Sequence, residues 1–183
     1  IAQGRTYGPD YIYALLTGIS AIVATAGVLL NSLPVLVGSM VIAPLIGPIM
    51  AASVATILDD DGLYATTRTY QALGVTVGLA SAVAFASLVR FTSLMSPNFT
   101  INELLQISSH TAPNLLLIVV ALAAGFAGAL SLSTGSSVDL VGVMISAAIM
   151  PPIGVTGVGV AWAQPGVVVG SLAVVLVNLA SVS

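Results

Sequence analysis

Long apolar runs separated by short polar segments form the main pattern along this chain. Between Asp10 and Asp59 lie 48 residues without a charged side chain, and the run after Asp139 holds 44. Two shorter uncharged runs, of 21 residues after Arg68 and 35 residues after Glu103, lie between them. A helix that crosses a bilayer needs about 20 mainly apolar residues. The four runs therefore predict two, one, one and two membrane-spanning helices, which makes six.

Polar turns and prolines give the bounds of these spans. Asp10 is well placed as the N-cap of the first helix, and the turn at 31–34 separates the first helix from the second. Tyr11 and Tyr13 are expected at the membrane–water boundary, which aromatic rings favour. The predicted spans cover about 11–30, 35–58, 69–89, 113–132, 138–162 and 167–183, with a polar connection at 59–62.

An internal repeat relates the two halves of the chain. A shift of 104 residues places Gly38 on Gly142 and Pro48 on Pro152, with identical residues at several neighbouring positions. Chance matching within a small apolar alphabet is the alternative explanation. Each repeat, about 11–95 and about 113–183, holds three spans, so the two repeats must enter the membrane from opposite sides. The predicted fold is thus a single all-α transmembrane domain of two inverted three-helix repeats.

Prolines in the second and fifth spans predict that both helices are broken. A proline removes a backbone donor and clashes with the preceding turn, and the freed backbone groups can bind ions or solutes. The alternative is that the prolines only kink packed helices. We expect the segments 39–50 and 146–156 to meet near mid-membrane. The predicted pathway residues are Ser39, Met40, Pro44, Gly47, Pro48, Met144, Ser146, Pro151, Pro152, Gly154 and Thr156.

Four further polar residues are candidate contributors to such a pathway: Asn31, Asn114, Asp139 and Asn178. Asp139 inside the membrane would indicate a proton or cation role. The polar residues before it favour a position at the interface instead. Intramembrane amides, including Gln71 in the third span, are more often interhelical hydrogen-bond donors than ligands.

Composition supports the membrane class, because 58% of the residues are hydrophobic and only 5% are charged. Soluble domains carry about 25% charged residues. With no cysteine, one histidine and three Arg or Lys residues, the chain offers no thiolate metal site, no cofactor motif and no basic surface for nucleic acid. It also lacks an enzyme signature. The chain begins with Ile1, so we expect a soluble N-terminal region before it.

Two other features bear on assembly and orientation. Gly74, Gly78 and Ala82 form a small-residue face for close helix packing, within a chain or in a homo-oligomer. Arg5 and Arg68 fall on one side of the predicted membrane and Arg90 on the other, which favours a cell-membrane protein with cytoplasmic termini.

Two motifs resemble those of one family. The run 37–49, Val-Gly-Ser-Met-Val-Ile-Ala-Pro-Leu-Ile-Gly-Pro-Ile, follows an Asn-Ser turn, and the run 142–152 is a Gly-Val segment that ends in Pro-Pro. Both are similar to motifs of the bacterial and archaeal membrane proteins called domain of unknown function 389. The resemblance implies a six-span membrane domain, often attached to a soluble N-terminal region. It supplies no catalytic or ligand-binding residues.

The leading hypothesis is a transporter or channel for an ion or a small solute, with its pathway at the two proline-containing helices. The alternative is a scaffold domain that oligomerises in the membrane and presents a soluble N-terminal domain. A membrane enzyme ranks third, because no catalytic constellation supports it.

Overall fold

The part of the chain that the structure describes is built from α-helices. The structure, a computed structural model, describes residues 11–92 and 138–182, and these ranges hold six helices and no strand. The all-helical prediction is confirmed there. The helices are α1 (Tyr11–Leu29), α2 (Leu33–Ile42), α3 (Ile46–Leu58), α4 (Asp61–Phe91), α5 (Val138–Ala161) and α6 (Pro165–Val182). The predicted fourth span, about 113–132, lies outside the described residues, so the paired three-helix repeats stay a prediction.

A tight turn joins α1 to α2. Asn31 has a φ of 48°, in the left-handed region that Asn adopts more readily than most residues. The backbone N–H of Ser32 donates to the carbonyl of Gly27 at 2.9 Å and closes the end of α1. Pro34 lies in the first turn of α2, where its missing N–H has no cost. A Cβ on Gly27 would lie 2.9 Å from the backbone nitrogen of Leu36, so glycine permits this close hairpin.

The second predicted span is interrupted, which confirms the prediction of a broken helix there. α2 ends at Ile42 and α3 begins at Ile46. Ala43 has extended backbone, with φ −67° and ψ 119°, because the ring of Pro44 disfavours the helical region for the residue before it. Pro48 lies in the first turn of α3, where a helix lacks acceptors for its N–H groups, so the proline is tolerated there. We call residues 43–45 the break.

α4 begins eight residues before the 69–89 span that the apolar pattern predicts, at Asp61. The carboxylate of Asp60 accepts the backbone N–H of Leu63 at 3.0 Å and so caps the helix. Asp59, with a φ of 53°, ends α3. The predicted polar connection at 59–62 is therefore shorter than expected. With 31 residues, α4 is about 46 Å long.

The prediction that the fifth span is broken is wrong. α5 is one continuous helix with Pro151 and Pro152 inside it. Pro152 cannot donate to the carbonyl of Ala148, four residues earlier. Asn178 of α6 donates to that carbonyl instead, with an Nδ2–O distance of 2.6 Å. A neighbouring helix thus satisfies the carbonyl that Pro152 frees, which lowers the cost of this proline inside α5.

Small side chains bring the helix backbones close together in the core. A Cβ on Gly157 of α5 would lie 2.7 Å from the backbone carbonyl carbon of Ala82 in α4. A Cβ on Gly154 would lie 3.0 Å from the backbone carbonyl carbon of Ala24 in α1. Such contacts gain dispersion energy over long helix faces. The core is thus held by closely packed backbones around a few larger side chains such as Ile153, which is fully buried.

Contacts between helices give their relative directions. Helices α1, α4 and α5 run in the same direction, while α2, α3 and α6 run in the opposite one. For α1, α2, α4, α5 and α6, the contacts that fix these directions are Tyr13 and Gly74, Thr17 and Gly78, Gly78 and Ile153, Ala82 and Gly157, Ser20 and Ser39, Gly27 and Leu36, Thr156 and Ser171, and Ala148 and Asn178. For α3, the direction follows from its short connection to α4 at Asp59 and Asp60 and from Pro48 and Gln71, which line the same cavity. α5 is therefore antiparallel to α2 and α3, and α6 is antiparallel to α4.

The outer faces of the helices are apolar, and small polar side chains lie inside. On α1, a stripe of exposed aliphatic residues includes Ile12, Leu15 and Ile19, which are 50%, 58% and 41% exposed. The buried polar residues of the described chain are Thr17, Ser20, Thr25, Ser39, Thr67, Ser146, Thr156, Ser171 and Asn178. The bundle therefore has apolar side chains on its outer faces as well as in its core. By length and composition, α1 and α4 are able to cross a membrane.

Candidate functional site

The break lies against the middle of α5. The hydroxyl of Ser146, on α5, donates to the carbonyl of Ala43 at 3.3 Å. The hydroxyl of Ser20, on α1, donates to the carbonyl of Ser39 at 2.7 Å. Both serine side chains are fully buried. Since an unsatisfied carbonyl in an apolar interior is costly, these two hydrogen bonds stabilise the interrupted helix.

A small cavity lies beside the break, where side chains from α1, α3, α4, α5 and α6 meet. Its volume is about 10 Å³, which is close to the space that one water molecule needs. We call it the break cavity. The residues that line it are Tyr13, Leu45, Pro48, Gln71, Val75, Ile149 and Leu179.

Gln71 provides an unsatisfied polar group at the break cavity. Its Nε2 atom is buried and has no hydrogen-bond partner among the residues that the structure describes. Leaving a buried donor without a partner costs about 1–3 kcal/mol, and nearly all buried polar groups in proteins are hydrogen-bonded. An acceptor of about the size of water, bound in the cavity, would satisfy this amide.

Tyr13 supplies the other polar side chain of the cavity wall. Its hydroxyl donates to the backbone carbonyl of Tyr70 at 3.3 Å. The phenol lies directly over Gly74, where an added Cβ would overlap its oxygen. The ring of Tyr13 is half-buried between α1 and α4, because Gly74 leaves room for it there. Its predicted position at the membrane–water boundary stays a prediction.

The predicted pathway residues separate into two groups. The first group lies at or beside the break and the α5 surface that faces it, so the two predicted segments do meet. Ser39, Pro48 and Ser146 are buried, whereas Met40, Pro44 and Gly47 are half-buried. Of these, Pro48 lines the cavity.

The second group packs between helices elsewhere. Gly154 lies against the backbone of α1. Thr156 donates to the carbonyl of Pro152 at 2.8 Å and pairs with the hydroxyl of Ser171 at 2.7 Å. Asn178 binds the carbonyl of Ala148. These residues hold α1, α5 and α6 together, and none of them lines the break cavity.

The remaining predicted residues do not contribute to the cavity wall that the structure describes. Pro151 lies half-buried within α5, and Asn31 is exposed in the turn between α1 and α2. Met144 and Asp139 lie in α5, and the structure describes their backbone but not their side chains. Asn114 also lies outside the described residues.

Among the residues that the structure describes, the cavity wall carries no carboxylate and no basic group. Across residues 11–92 and 138–182, no group of three His, Cys, Asp or Glu side chains could hold a metal ion. Asp59, Asp60 and Asp61 lie together at the junction of α3 and α4, well away from the break. The site is therefore neutral, with an amide and a phenol as its polar groups.

One family match covers the break and the helices α3 to α6, with the cavity residues that they contribute. The model of the family described as domain of unknown function 389 matches residues 40–183. The chain belongs to that family. Among domain of unknown function 389 relatives, it is similar to the uncharacterized protein MJ0678 of Methanocaldococcus jannaschii. The two are 36% identical over 144 residues, which cover 78% of this chain and 42% of that protein.

The chain thus spans less than half of the length of this relative. No solved structure matches it significantly. The family resemblance that the sequence motifs indicate is confirmed, and the match includes the proline segments that carry it.

Sequence reasoning missed Tyr13 and Gln71 as residues of the site. Gln71 was interpreted as an interhelical donor, yet its Nε2 atom has no such partner among the described residues. The signal in the sequence was a lone amide one turn before the small-residue face that starts at Gly74. The contact of Tyr13 with Gly74 joins positions 61 residues apart and has no local signature.

Proposed function

We propose that this domain of unknown function 389 protein is an integral membrane conduit for a small neutral solute. The pathway passes the break cavity, and Gln71 binds the solute there. The observation that carries the proposal is the buried Nε2 atom of Gln71, which has no hydrogen-bond partner within 11–92 and 138–182, in a cavity beside an interrupted helix. Interrupted helices near the middle of the membrane form the binding sites of many transporters.

The membrane location is supported by the distribution of apolar surface. Exposed aliphatic stripes on α1 and α2 would face lipid, and α2 exposes Leu33, Val37 and Val41 by 75%, 52% and 63%. An exposed apolar surface of this extent is unusual on a soluble monomer. Inside the bundle, buried serine and threonine hydroxyls donate to backbone carbonyls, as expected for helices that pack in lipid.

An inverted repeat is supported by the helix directions. The helices that the repeat pairs, α5 with α2–α3 and α6 with α4, run antiparallel to each other, as two inverted units require. The 104-residue shift also pairs Leu45 with Ile149, and both line the break cavity. We infer that the cavity lies near the pseudo-twofold axis, where transporters of this architecture bind their substrates.

A neutral solute is favoured over an ion by the chemistry of the wall. The carbonyls of Ser39 and Ala43 accept hydrogen bonds from serine hydroxyls, so they are occupied in this conformation. The described part of the cavity wall has no carboxylate to offset the charge of a cation. Dehydrating an ion in such surroundings is costly, whereas a neutral acceptor requires only the Gln71 donor.

The size of the cavity implies a closed state. A space of about 10 Å³ holds one water-sized molecule, and anything larger needs the helices around it to separate. We propose that α3 moves relative to α2 about the break, where the backbone at Ala43 is already extended. Hinges of this kind occur at short non-helical segments between rigid elements.

The test is flux through purified protein in sealed liposomes. Permeation of water, urea and glycerol is measured by light scattering after an osmotic step. Flux of Na⁺, K⁺, H⁺ and Cl⁻ down imposed gradients is measured as an electrical current or with an ion-sensitive dye. Val75→Phe narrows the break cavity, and Val160→Phe is the matched control because Val160 is 44% exposed on α5.

We expect a neutral solute to pass through the native protein and the Val160→Phe control, and flux to fall at least tenfold in Val75→Phe. Equal flux in both variants, with equal folding, would place the pathway elsewhere. If none of the neutral solutes permeates through the native protein, the proposal of a neutral-solute conduit is wrong.

A scaffold that oligomerises is the second candidate, and one surface favours it. α4 exposes a stripe of small side chains four residues apart, formed by Ala72, Thr76, Ala80 and Ala84. Small residues at this spacing promote close helix pairing in membranes. A stable oligomer that Ala80→Trp disrupts, together with no flux of any probe, would favour the scaffold over the conduit.

A further inference from the structure

A second, larger cleft lies at the opposite end of α4 from the acidic junction. Its volume is about 510 Å³, and it is lined by Ser87, Arg90, Phe91 and Ala161. It is formed by the C-terminal ends of α4 and α5, which run in the same direction. Small-molecule sites in proteins have volumes of about 300–1,000 Å³, so the cleft has room for a polar headgroup.

Arg90 is fixed at the wall of this cleft. Its guanidinium donates a hydrogen bond to the backbone carbonyl of Ala161, the last residue of α5. A guanidinium has five N–H donors in a planar fork that suits phosphate oxygens. One contact to Ala161 orients the fork and leaves further donors for an anion in the cleft.

The positive charge of Arg90 is not offset by any carboxylate of the described residues. Asp61 lies at the start of α4, 29 residues before Arg90, which corresponds to about 44 Å of helix. Asp139 lies near the start of α5, 22 residues before Ala161, or about 33 Å. The described part of the molecule thus has its acidic groups at one end and Arg90 at the other.

The surroundings of Arg90 are those of a membrane boundary. Phe91 is 89% exposed and marks the end of the long apolar helix. Trp162, half-buried, follows Ala161 directly and packs against the apolar cluster beneath the cleft. Aromatic rings and arginine side chains concentrate at the depth of lipid headgroups.

We propose that this cleft binds the phosphate headgroup of an anionic membrane lipid. Arg90 contacts the phosphate, the hydroxyl of Ser87 provides a neutral polar contact, and Phe91 packs against the lipid chains. The proposal relies on the membrane location argued under the proposed function and is independent of the conduit.

Trp162 provides a direct readout because it is the one tryptophan in the chain. The protein is reconstituted in bilayers that mix phosphatidylcholine with phosphatidylglycerol, one of which carries brominated chains that quench tryptophan. Swapping the brominated component gives the relative affinity of the two lipids for the surface near Trp162. The variants are Arg90→Gln, Arg90→Lys and the matched control Arg68→Gln, which removes an exposed arginine stacked on Tyr64 at the other end of α4.

We expect the native protein to prefer phosphatidylglycerol about fivefold, the factor that corresponds to about 1 kcal/mol for one arginine at an anionic surface. Arg90→Gln should lose the preference, while Arg90→Lys and Arg68→Gln should retain most of it. An equal affinity for both lipids in the native protein, or an unchanged preference in Arg90→Gln, would overturn the proposal.

Two controls separate this inference from its alternatives. Inorganic phosphate should leave the lipid preference unchanged; if it abolishes the preference, the site is one for free phosphate and the lipid assignment is wrong. Co-flotation of the protein with the vesicles tests the membrane location itself. A protein that floats with vesicles but shows no lipid preference contradicts this inference alone.

Discussion

Asn178 donates its side-chain amide to the carbonyl of Ala148 at 2.6 Å, and that carbonyl is the one that Pro152 leaves without its helical donor. The two residues lie on antiparallel helices, and the residues that follow them, Ile149 and Leu179, both line the break cavity. Asn178 is buried, with 3% of its surface exposed. One interhelical hydrogen bond thus satisfies the carbonyl that Pro152 frees and positions α6 against α5.

The first prediction concerns this bond. Asn178→Leu removes the donor, and we expect the free energy of unfolding to fall by about 1 kcal/mol, the upper part of the range measured for hydrogen bonds between membrane helices. In a Pro152→Ala background the restored backbone N–H should satisfy the carbonyl of Ala148, so the same replacement should cost much less. Denaturant unfolding in mixed micelles measures both values, and equal losses in the two backgrounds would contradict the explanation.

The second prediction concerns Gln71. Gln71→Leu removes a buried donor that has no partner in the described part of the chain, so we expect the free energy of unfolding to rise by about 1 kcal/mol while solute flux is lost. A gain in stability with a loss of function is typical of sites built for a ligand. The matched control is Ala72→Leu, on the exposed face of α4, which should change neither quantity much. A destabilised Gln71→Leu variant would mean that the amide already has a partner, such as a bound water.

The sequence predicted the helical class, the positions of most helix ends and the interruption of the second span. These features depend on local chemistry. The steric effect of Pro44 on Ala43 acts between neighbours, and the left-handed turn at Asn31 is a property of a few consecutive residues. Such signals can be recognised without knowledge of the fold.

The sequence did not predict the continuity of α5 or the cavity wall. A proline in a long apolar run gives the same local signal in both spans, and the difference arises from Asn178, 30 residues from its acceptor. The start of α4 was missed for a local reason, because the apolar pattern begins only after the segment that Asp60 caps. Long-range partners decide the continuity of α5 and the cavity wall, and a single sequence does not identify those partners.

The third prediction tests the capped start of α4. Asp60→Ala removes the acceptor for the backbone N–H of Leu63, and loss of an N-cap costs about 1 kcal/mol. We expect faster amide hydrogen exchange in the first turns of α4, without a change in the break. Asp60→Ser, which retains a capping oxygen, should exchange like the native protein. Uniform acceleration along the whole chain would indicate a general loss of stability and not a local one.

The fourth prediction concerns the contact between α4 and α5. A Cβ on Gly157 would lie 2.6 Å from the Cβ of Ala82 and 2.7 Å from its backbone carbonyl carbon. Because backbone atoms cannot move aside as a flexible side chain can, Gly157→Ala must separate the two helices, and overpacking of this kind costs about 1–3 kcal/mol. Gly170→Ala is the matched control, since a Cβ there meets no atom within 4 Å and alanine favours a helix by up to about 1 kcal/mol. We therefore expect Gly157→Ala to lower the free energy of unfolding and Gly170→Ala to raise it, although both replace a glycine by alanine in neighbouring helices. If both variants were equally stable, the close packing of α4 on α5 would not be a source of stability for this fold.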